Sequence, residues 1–228
     1  MKNSAENKLD NPTWNSLVES HSEFALDYGN TKFYNPEYCP FGGSVAIETT
    51  KDAVEKYASL SQNFFIVGEK PEIPDSLTIT NELVCLQMVI TQKIELSITE
   101  KITQLTESHN DALCELVNLV QPGYFKKKTY LLGDYFGIYK DNQLIAVTGE
   151  RMRMNDFTEV SAIVTHPDHT GKGYAKQLIT HVVNKNFDNN ITPYLHVSEK
   201  NLGAIALYEK LGFVTRRKMS LWNIVPKK

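Results

Sequence analysis

The residues best suited to chemistry lie in one short run, Val164-Thr165-His166-Pro167-Asp168-His169-Thr170-Gly171-Lys172-Gly173-Tyr174-Ala175. An apolar strand ends there, a loop passes through two glycines, and a helical pattern begins. The first turn of a helix carries unpaired N–H groups and the positive end of the macrodipole. Glycine lets such a backbone lie close against a ligand, an arrangement that binds phosphate. Lys172 adds a mobile positive charge, so a diphosphate-bearing ligand is the physical expectation. The run is not a P-loop, because no Gly-x-x-x-x-Gly-Lys-[Ser/Thr] string occurs. It is not a dinucleotide fingerprint either. Gly171 and Gly173 fit that pattern, but Lys176 fills the third small position, where close helix–strand packing excludes a long side chain. A glycine-rich turn without a ligand is the bland alternative. His166 and His169 have a metal-like spacing, yet only Asp168 stands near them and a structural zinc wants four ligands; no metal is expected.

A second run, Asn201-Leu202-Gly203-Ala204-Ile205-Ala206-Leu207-Tyr208-Glu209-Lys210-Leu211-Gly212-Phe213, follows a strand about one βα unit downstream. Together the two runs resemble the GNAT superfamily of acyl-coenzyme A-dependent N-acyltransferases over residues 100–228. Gly173 and Ala175 match the family's [Arg/Gln]-x-x-Gly-x-[Gly/Ala] motif. Thr170 stands in the Arg/Gln slot, which removes a side chain but leaves the backbone amides. Asn201, Ala204, Leu207, Tyr208, Gly212 and Phe213 match its second motif. Gly149-Glu150-Arg151 and Val160-Ser161-Ala162 look most like the branch related to glycine N-acyltransferases, in which the N-terminal half is often a degenerate copy of the fold.

The resemblance implies roles. Ile163, Val164 and Thr165 would offer unpaired backbone to pantetheine, much as a strand is added to a sheet edge. The amides of Gly171, Lys172, Gly173, Tyr174 and Ala175 would meet the pyrophosphate. A backbone N–H near Val164 or Thr165 would hold the oxyanion. Asn201 either caps its helix or contacts acetyl-CoA. The reaction is direct attack of an amine on a thioester, so the ammonium must lose a proton and the thiolate must gain one. Glu159, eleven positions before Thr170, has the base's spacing in histone acetyltransferases of the superfamily. Glu150 on the preceding strand is the second candidate; a solvated or structurally paired glutamate is the alternative for both. Tyr208 is the expected proton donor, or else a core tyrosine on the inner face of a helix.

Positioning these groups requires strands at 102–105, 135–139, 144–147, 160–164, 194–197 and 219–225. Helices are expected at 110–120, from about 174, and at 204–211. The first half is harder to read. Residues 1–12 are polar and read as a frayed end. Pro12 to about Tyr28 reads as one helix, 51–60 as another, and 64–68 and 83–91 as strands. The expected class is α/β (α+β), a mixed central sheet flanked by helices. Residues 1–95 form an N-terminal α+β module and 96–228 the acyl-CoA-binding catalytic domain, with a weak linker near 92–100.

Composition sets the outer limits. The 228 residues are 41% hydrophobic and 22% charged, ordinary globular usage. A net charge of −3 argues against a general nucleic-acid binder. Lys126-Lys127-Lys128 reads as a solvated loop or as lining of the acceptor groove. Cys39, Cys85 and Cys114 build no disulfide framework, and no apolar segment is long enough to cross a bilayer. The expectation is a soluble cytoplasmic protein, monomer or homodimer, with acetyl-CoA as co-substrate and a small-molecule or peptide amine as acceptor. A non-catalytic acyl-CoA-binding or sensing protein is the rival.

Overall fold

A computed structural model describes residues 4–227. Strands β1 (Ala25–Asp27), β2 (Thr31–Tyr34), β3 (Phe41–Ser44), β4 (Phe64–Val67) and β5 (Leu77–Val89) come from the first half. Strands β6 (Thr103–Leu105), β7 (Tyr135–Lys140), β8 (Gln143–Arg151), β9 (Phe157–Thr165), β10 (Thr192–Ser198) and β11 (Val214–Pro226) follow. The helices are α1 (Pro12–Val18), α2 (Thr50–Ala58), α3 (Asn110–Val120), α4 (Tyr174–Asp188) and α5 (Leu202–Lys210). The described strands make one sheet in the order β1-β2-β3-β4-β11-β5-β10-β9-β8-β7-β6. Only the β3–β4 and β9–β10 pairs are parallel. Each needs a helical crossover, α2 for the first and α4 for the second. This is the mixed sheet flanked by helices that the sequence predicts.

The two long central strands pair across the halves. β5 lies between β10 and β11, and β11 lies between β5 and β4. Both outrun the expected strands because polar residues such as Thr78, Asn81, Glu82, Thr215, Arg217 and Lys218 pair in the same antiparallel ladder, which two register shifts interrupt. Apolar faces of α4 and α5 cover one side of the C-terminal sheet: Leu178, Ile179, Val182, Val183 and Tyr208 pack on Met88, Val160, Leu195 and Val197. At about 25 cal/mol per Å² of apolar surface, each buried aliphatic side chain contributes roughly 1.5–3 kcal/mol.

Three expectations need correction. The helix expected over 12–28 ends at Val18, because His21 turns inward to bond Ser16 Oγ and Tyr34 Oη, and residues 25–27 join the sheet. The polar start is not frayed where it is described: Leu9 is buried, and Lys8 pairs with Glu19 and Asp156. Residues 1–3 lie outside the described residues. The stretch near 92–100 is strapped along α4, with Ile94 exchanging two hydrogen bonds with the Asn184 side chain and Gln177 Oε1 accepting from the amides of Thr99 and Glu100.

Candidate active site

The site begins where β9 and β10 part. They pair at Phe157–Thr192, Thr158–Pro193 and Glu159–Tyr194, and no further. Beyond Glu159, β9 continues against β8 alone and β10 against β5 alone. One backbone edge of Val160 to Thr165 is therefore left without a strand partner. A bulge falls in the same stretch: the register shifts between Val147 and Gly149, and Ala162 has φ of 50°. A non-glycine residue held there is strained, and such strain re-aims backbone groups at a functional edge. Ile163, Val164 and Thr165 lie on this edge.

Past β9, a 3-10 turn over Pro167–His169 leads to Gly171 and Gly173, with φ of 76° and 79°. Both are left-handed, which explains why glycine stands at each. Among the described residues, nothing accepts from the amides of Gly171, Lys172 and Gly173. Tyr174 and Ala175 open α4, where no intrahelical acceptor exists. The first turn of α4 holds no acidic residue, so no acid of its own answers its dipole. Thr170 Oγ1 donates to the Pro167 carbonyl. These features fit a diphosphate. Tyr174 turns its ring into the core. His166 Nδ1 accepts from the Asp168 amide, and among the described residues no cluster suited to a metal ion occurs.

A cavity of about 310 Å³ opens at the parting of the strands. Ser161, Ala162 and Ile163 line it from β9, His196 and Ser198 from β10, and Asn201, Ala204 and Tyr208 from the start of α5 and its inner face. Asn201 Oδ1 accepts from the Ala204 amide at 3.2 Å, so it caps α5 and faces the cavity at once. Tyr208 is 7% exposed, and burial pushes its phenol up to about 12. Its hydroxyl has no hydrogen-bond partner among the described residues, which keeps its proton available.

The two glutamates part company. Glu150 is buried on the α4 side, where its carboxylate accepts from Lys185 Nζ and Asn186 Nδ2, both at 2.9 Å. It does not line the cavity. Glu159 lies under the cavity floor. Arg151 Nε and Nη2 donate to its two oxygens at 2.7 and 3.0 Å, and His196 Nδ1 lies 2.9 Å from Oε1. Burial pushes the Glu159 carboxyl up, but the Arg151 charge and the hydrogen bonds from His196 and Arg151 outweigh it and hold it at about 2. Arg151 and His196, not Glu159, are the faces of this cluster that reach the cavity.

Gln87 fixes the histidine. Its Nε2 donates to the Leu9 carbonyl at 2.8 Å and its Oε1 accepts from Arg216 Nη1 at 3.0 Å, which settles the amide's orientation. Nε2 also lies 3.2 Å from His196 Nε2, so that ring nitrogen is the acceptor and Nδ1 carries the proton toward Glu159. Sequence reading passed over His196 and Gln87. The signal for His196 was the alternation of β10, which sets Tyr194, His196 and Ser198 on the face opposite Leu195 and Val197. Lys126, Lys127 and Lys128 do not line the cavity; Lys128 pairs with Glu37.

Residues 100–213 match the Acetyltransferase (GNAT) family. The chain belongs to that family. A solved structure of a GNAT-family protein from Novosphingobium aromaticivorans is 31% identical, with a TM-score of 0.86 over 96% of this chain and 99% of that one. A GCN5-related N-acetyltransferase-like protein from Streptococcus suis shares the fold at 13% identity and a TM-score of 0.65, over 96% of each chain. The spermidine N(1)-acetyltransferase of Vibrio cholerae is 43% identical over 54 residues, 23% of this chain and 31% of that enzyme. The aligned stretch thus spans about a third of that curated relative. The glycine N-acyltransferase-like branch finds no support in these likenesses. Among the described residues, no helix is long and apolar enough to cross a membrane.

Proposed function

We propose that this protein transfers an acetyl group from acetyl-CoA to a primary amine by direct attack. The observation that carries the reading is the parting of β9 from β10 beyond Glu159, on the strand that leads into the Gly171–Gly173 turn. An amide-bearing arm has an open strand edge to pair with, and a diphosphate has free amides and a helix dipole to meet. The amine nitrogen bonds to the thioester carbonyl carbon, the C–S bond breaks, and the coenzyme leaves as a thiol. The bulged β9 backbone near Val164 donates to the carbonyl oxygen as charge develops there. Tyr208 gives its proton to the departing sulfur and is reprotonated by the second proton that the nitrogen loses as the amide forms. The ammonium proton leaves to solvent before attack, because His196 turns Nδ1–H to Glu159 and spends Nε2 on Gln87, so neither ring nitrogen is open to it. Glu159 itself, held ionised at about 2, is too weak a base to hold that proton.

Direct attack is favoured over an acyl-enzyme. The cavity's cysteine, Cys85, has its thiol pushed up to about 12 by burial, so it supplies little thiolate.

The test is twofold. Acetyl-CoA should raise the melting temperature, and amines should promote thiol release from it. A melting shift with no thiol release from any amine would favour the acyl-CoA-sensing alternative. Spermidine belongs in that first panel because of the Vibrio cholerae relative's name.

A further inference from the structure

The cavity has a second wall, built by residues that no GNAT motif contains. Phe41 of β3, Leu83 and Cys85 of β5, Leu221 of β11 and Tyr124 from the loop after α3 close it opposite α5. Phe41, Phe65 and Tyr124 form one aromatic group, with ring centroids 5.3 to 6.1 Å apart. Among the described residues, no Asp or Glu lines the cavity. Its one permanent charge at the lining, among the described residues, is Arg151, whose guanidinium sits 4.6 Å over the Phe41 ring. Nε and Nη2 of that guanidinium are spent on Glu159, and among the described residues nothing accepts from Nη1.

We infer that the acceptor is an α-amino acid with an apolar or aromatic side chain, its carboxylate meeting the open edge of Arg151 and its side chain lying against Phe41 and Tyr124. This rests on the acetyltransferase reading above and deepens it. A planar guanidinium with one edge already fixed is preorganised for a carboxylate. Arg151 and Ala162 also line the same small hollow beside the main cavity, so a carboxylate at Arg151 lies close to the β9 bulge. The α-amine is one carbon away from that carboxylate, which directs it at the thioester. A polyamine finds the opposite chemistry. It would bring two or more ammonium groups into a site with an arginine and no open carboxylate, and an unpaired charge in a low-dielectric cavity is costly.

The experiment is an acceptor panel with acetyl-CoA and thiol detection, using L-phenylalanine, L-alanine, phenethylamine and spermidine. L-phenylalanine should give the highest kcat/KM. Phenethylamine lacks the carboxylate and alanine lacks the ring; each should fall by about tenfold or more, the equivalent of one good contact. Spermidine should be the poorest of the four. Tyr124→Ala should raise KM for L-phenylalanine several-fold and leave KM for L-alanine nearly unchanged. That residue is half-buried and stands on a loop, so the variant should fold, and its melting temperature checks this. Spermidine or phenethylamine equal to L-phenylalanine would overturn the inference while leaving the acetyltransferase reading intact. Thiol release with none of the four would overturn the inference, and the acetyltransferase reading would fall with it only if no other primary amine released thiol. A Tyr124→Ala variant that keeps the wild-type KM for L-phenylalanine would remove the aromatic wall from the argument and overturn the assigned pose.

Discussion

Strand β3 reaches β4 through α2 in the first half, and β9 reaches β10 through α4 in the second. In each case two antiparallel pairings precede a short parallel one, after which the strands separate. The connections are alike, but the turns between strand and helix are not. After β9, two left-handed glycines leave amides without acceptors, and the first turn of α4 is free of acid. After β3, no residue from Ser44 to Thr50 has a positive φ. Ser44 Oγ is an acceptor for the Ala46 amide, and the amides of Val45 and Thr49 bond to the Asn30 and Ala46 carbonyls. Asp52 in the first turn of α2 answers that helix's dipole from within the chain. The same crossover thus leaves one helix end open and closes the other on itself. Topology supplies the cleft, and a few residues decide whether anything can enter it.

The largest effect should come from breaking the open turn. Gly173→Glu places a side chain and a negative charge against the proposed diphosphate, at a φ of 79° that an L-residue adopts at a cost of about 1–2 kcal/mol. The added Cβ would also meet Lys176 Cε at 2.8 Å, which the flexible lysine can relieve. The expected result is a folded protein, a few degrees less stable, that no longer melts higher with acetyl-CoA. A retained shift would mean the diphosphate lies elsewhere.

Next in size is the proposed proton donor. Tyr208→Phe keeps the ring and removes the phenol, so kcat should fall by roughly 10²–10⁴, the range for a lost general acid. Affinity for acetyl-CoA should hold within a few-fold. Stability should change by less than about 1 kcal/mol, since among the described residues the hydroxyl makes no hydrogen bond. Normal turnover with a lower melting temperature would make Tyr208 a packing residue.

The two clefts also differ in where their strands part. The N-terminal pair parts after Phe41–Phe65 and Gly42–Ile66, which carry no charge. The C-terminal pair parts on Glu159, a buried carboxylate whose pKa falls from an ordinary 4.5 to about 2 on folding. A depressed carboxyl stabilises the fold above its unfolded pKa, and that stability is lost as pH falls from about 4.5 toward 2. The shift corresponds to about 3 kcal/mol at neutral pH. Glu159→Gln should therefore be clearly less stable than the wild type in urea at pH 7, partly because Arg151 is left buried with a neutral partner. The gap should narrow at pH 3. An equal gap at both values would mean the ion pair adds nothing to folding.

Much of this C-terminal machinery was legible because local rules bind it. The Gly171–Gly173 turn, the cap at Asn201 and the helix period of Tyr208 each depend on residues a few positions apart. What escaped is tertiary. Gln87 reads in sequence only as a flaw in an apolar run, yet it holds His196 from a strand that joins β10 across the sheet. The ring of Phe41 reaches the cavity because β5 and β11 cross between the halves, which no periodicity announces. The helix over 12–28 failed for the same reason, since His21 leaves the helical path for a partner on β2.

The smallest effect should come from the closed turn, and it sharpens the contrast most cleanly. Asp52→Asn removes the acid that answers the α2 dipole, on an exposed helix face. Charge at a helix N-terminus is worth about 0.3–1 kcal/mol, so the melting temperature should drop by only about 1–4 °C. The shift produced by acetyl-CoA should be unchanged. Stripping the acid also should not convert α2 into a second anion site, because the amides of Val45, Ala46 and Thr49 already have acceptors and no glycine lets the backbone turn outward. An increased response of Asp52→Asn to coenzyme A would show that the N-terminal cleft still binds the nucleotide. The difference between the two turns would then be one of charge rather than of backbone.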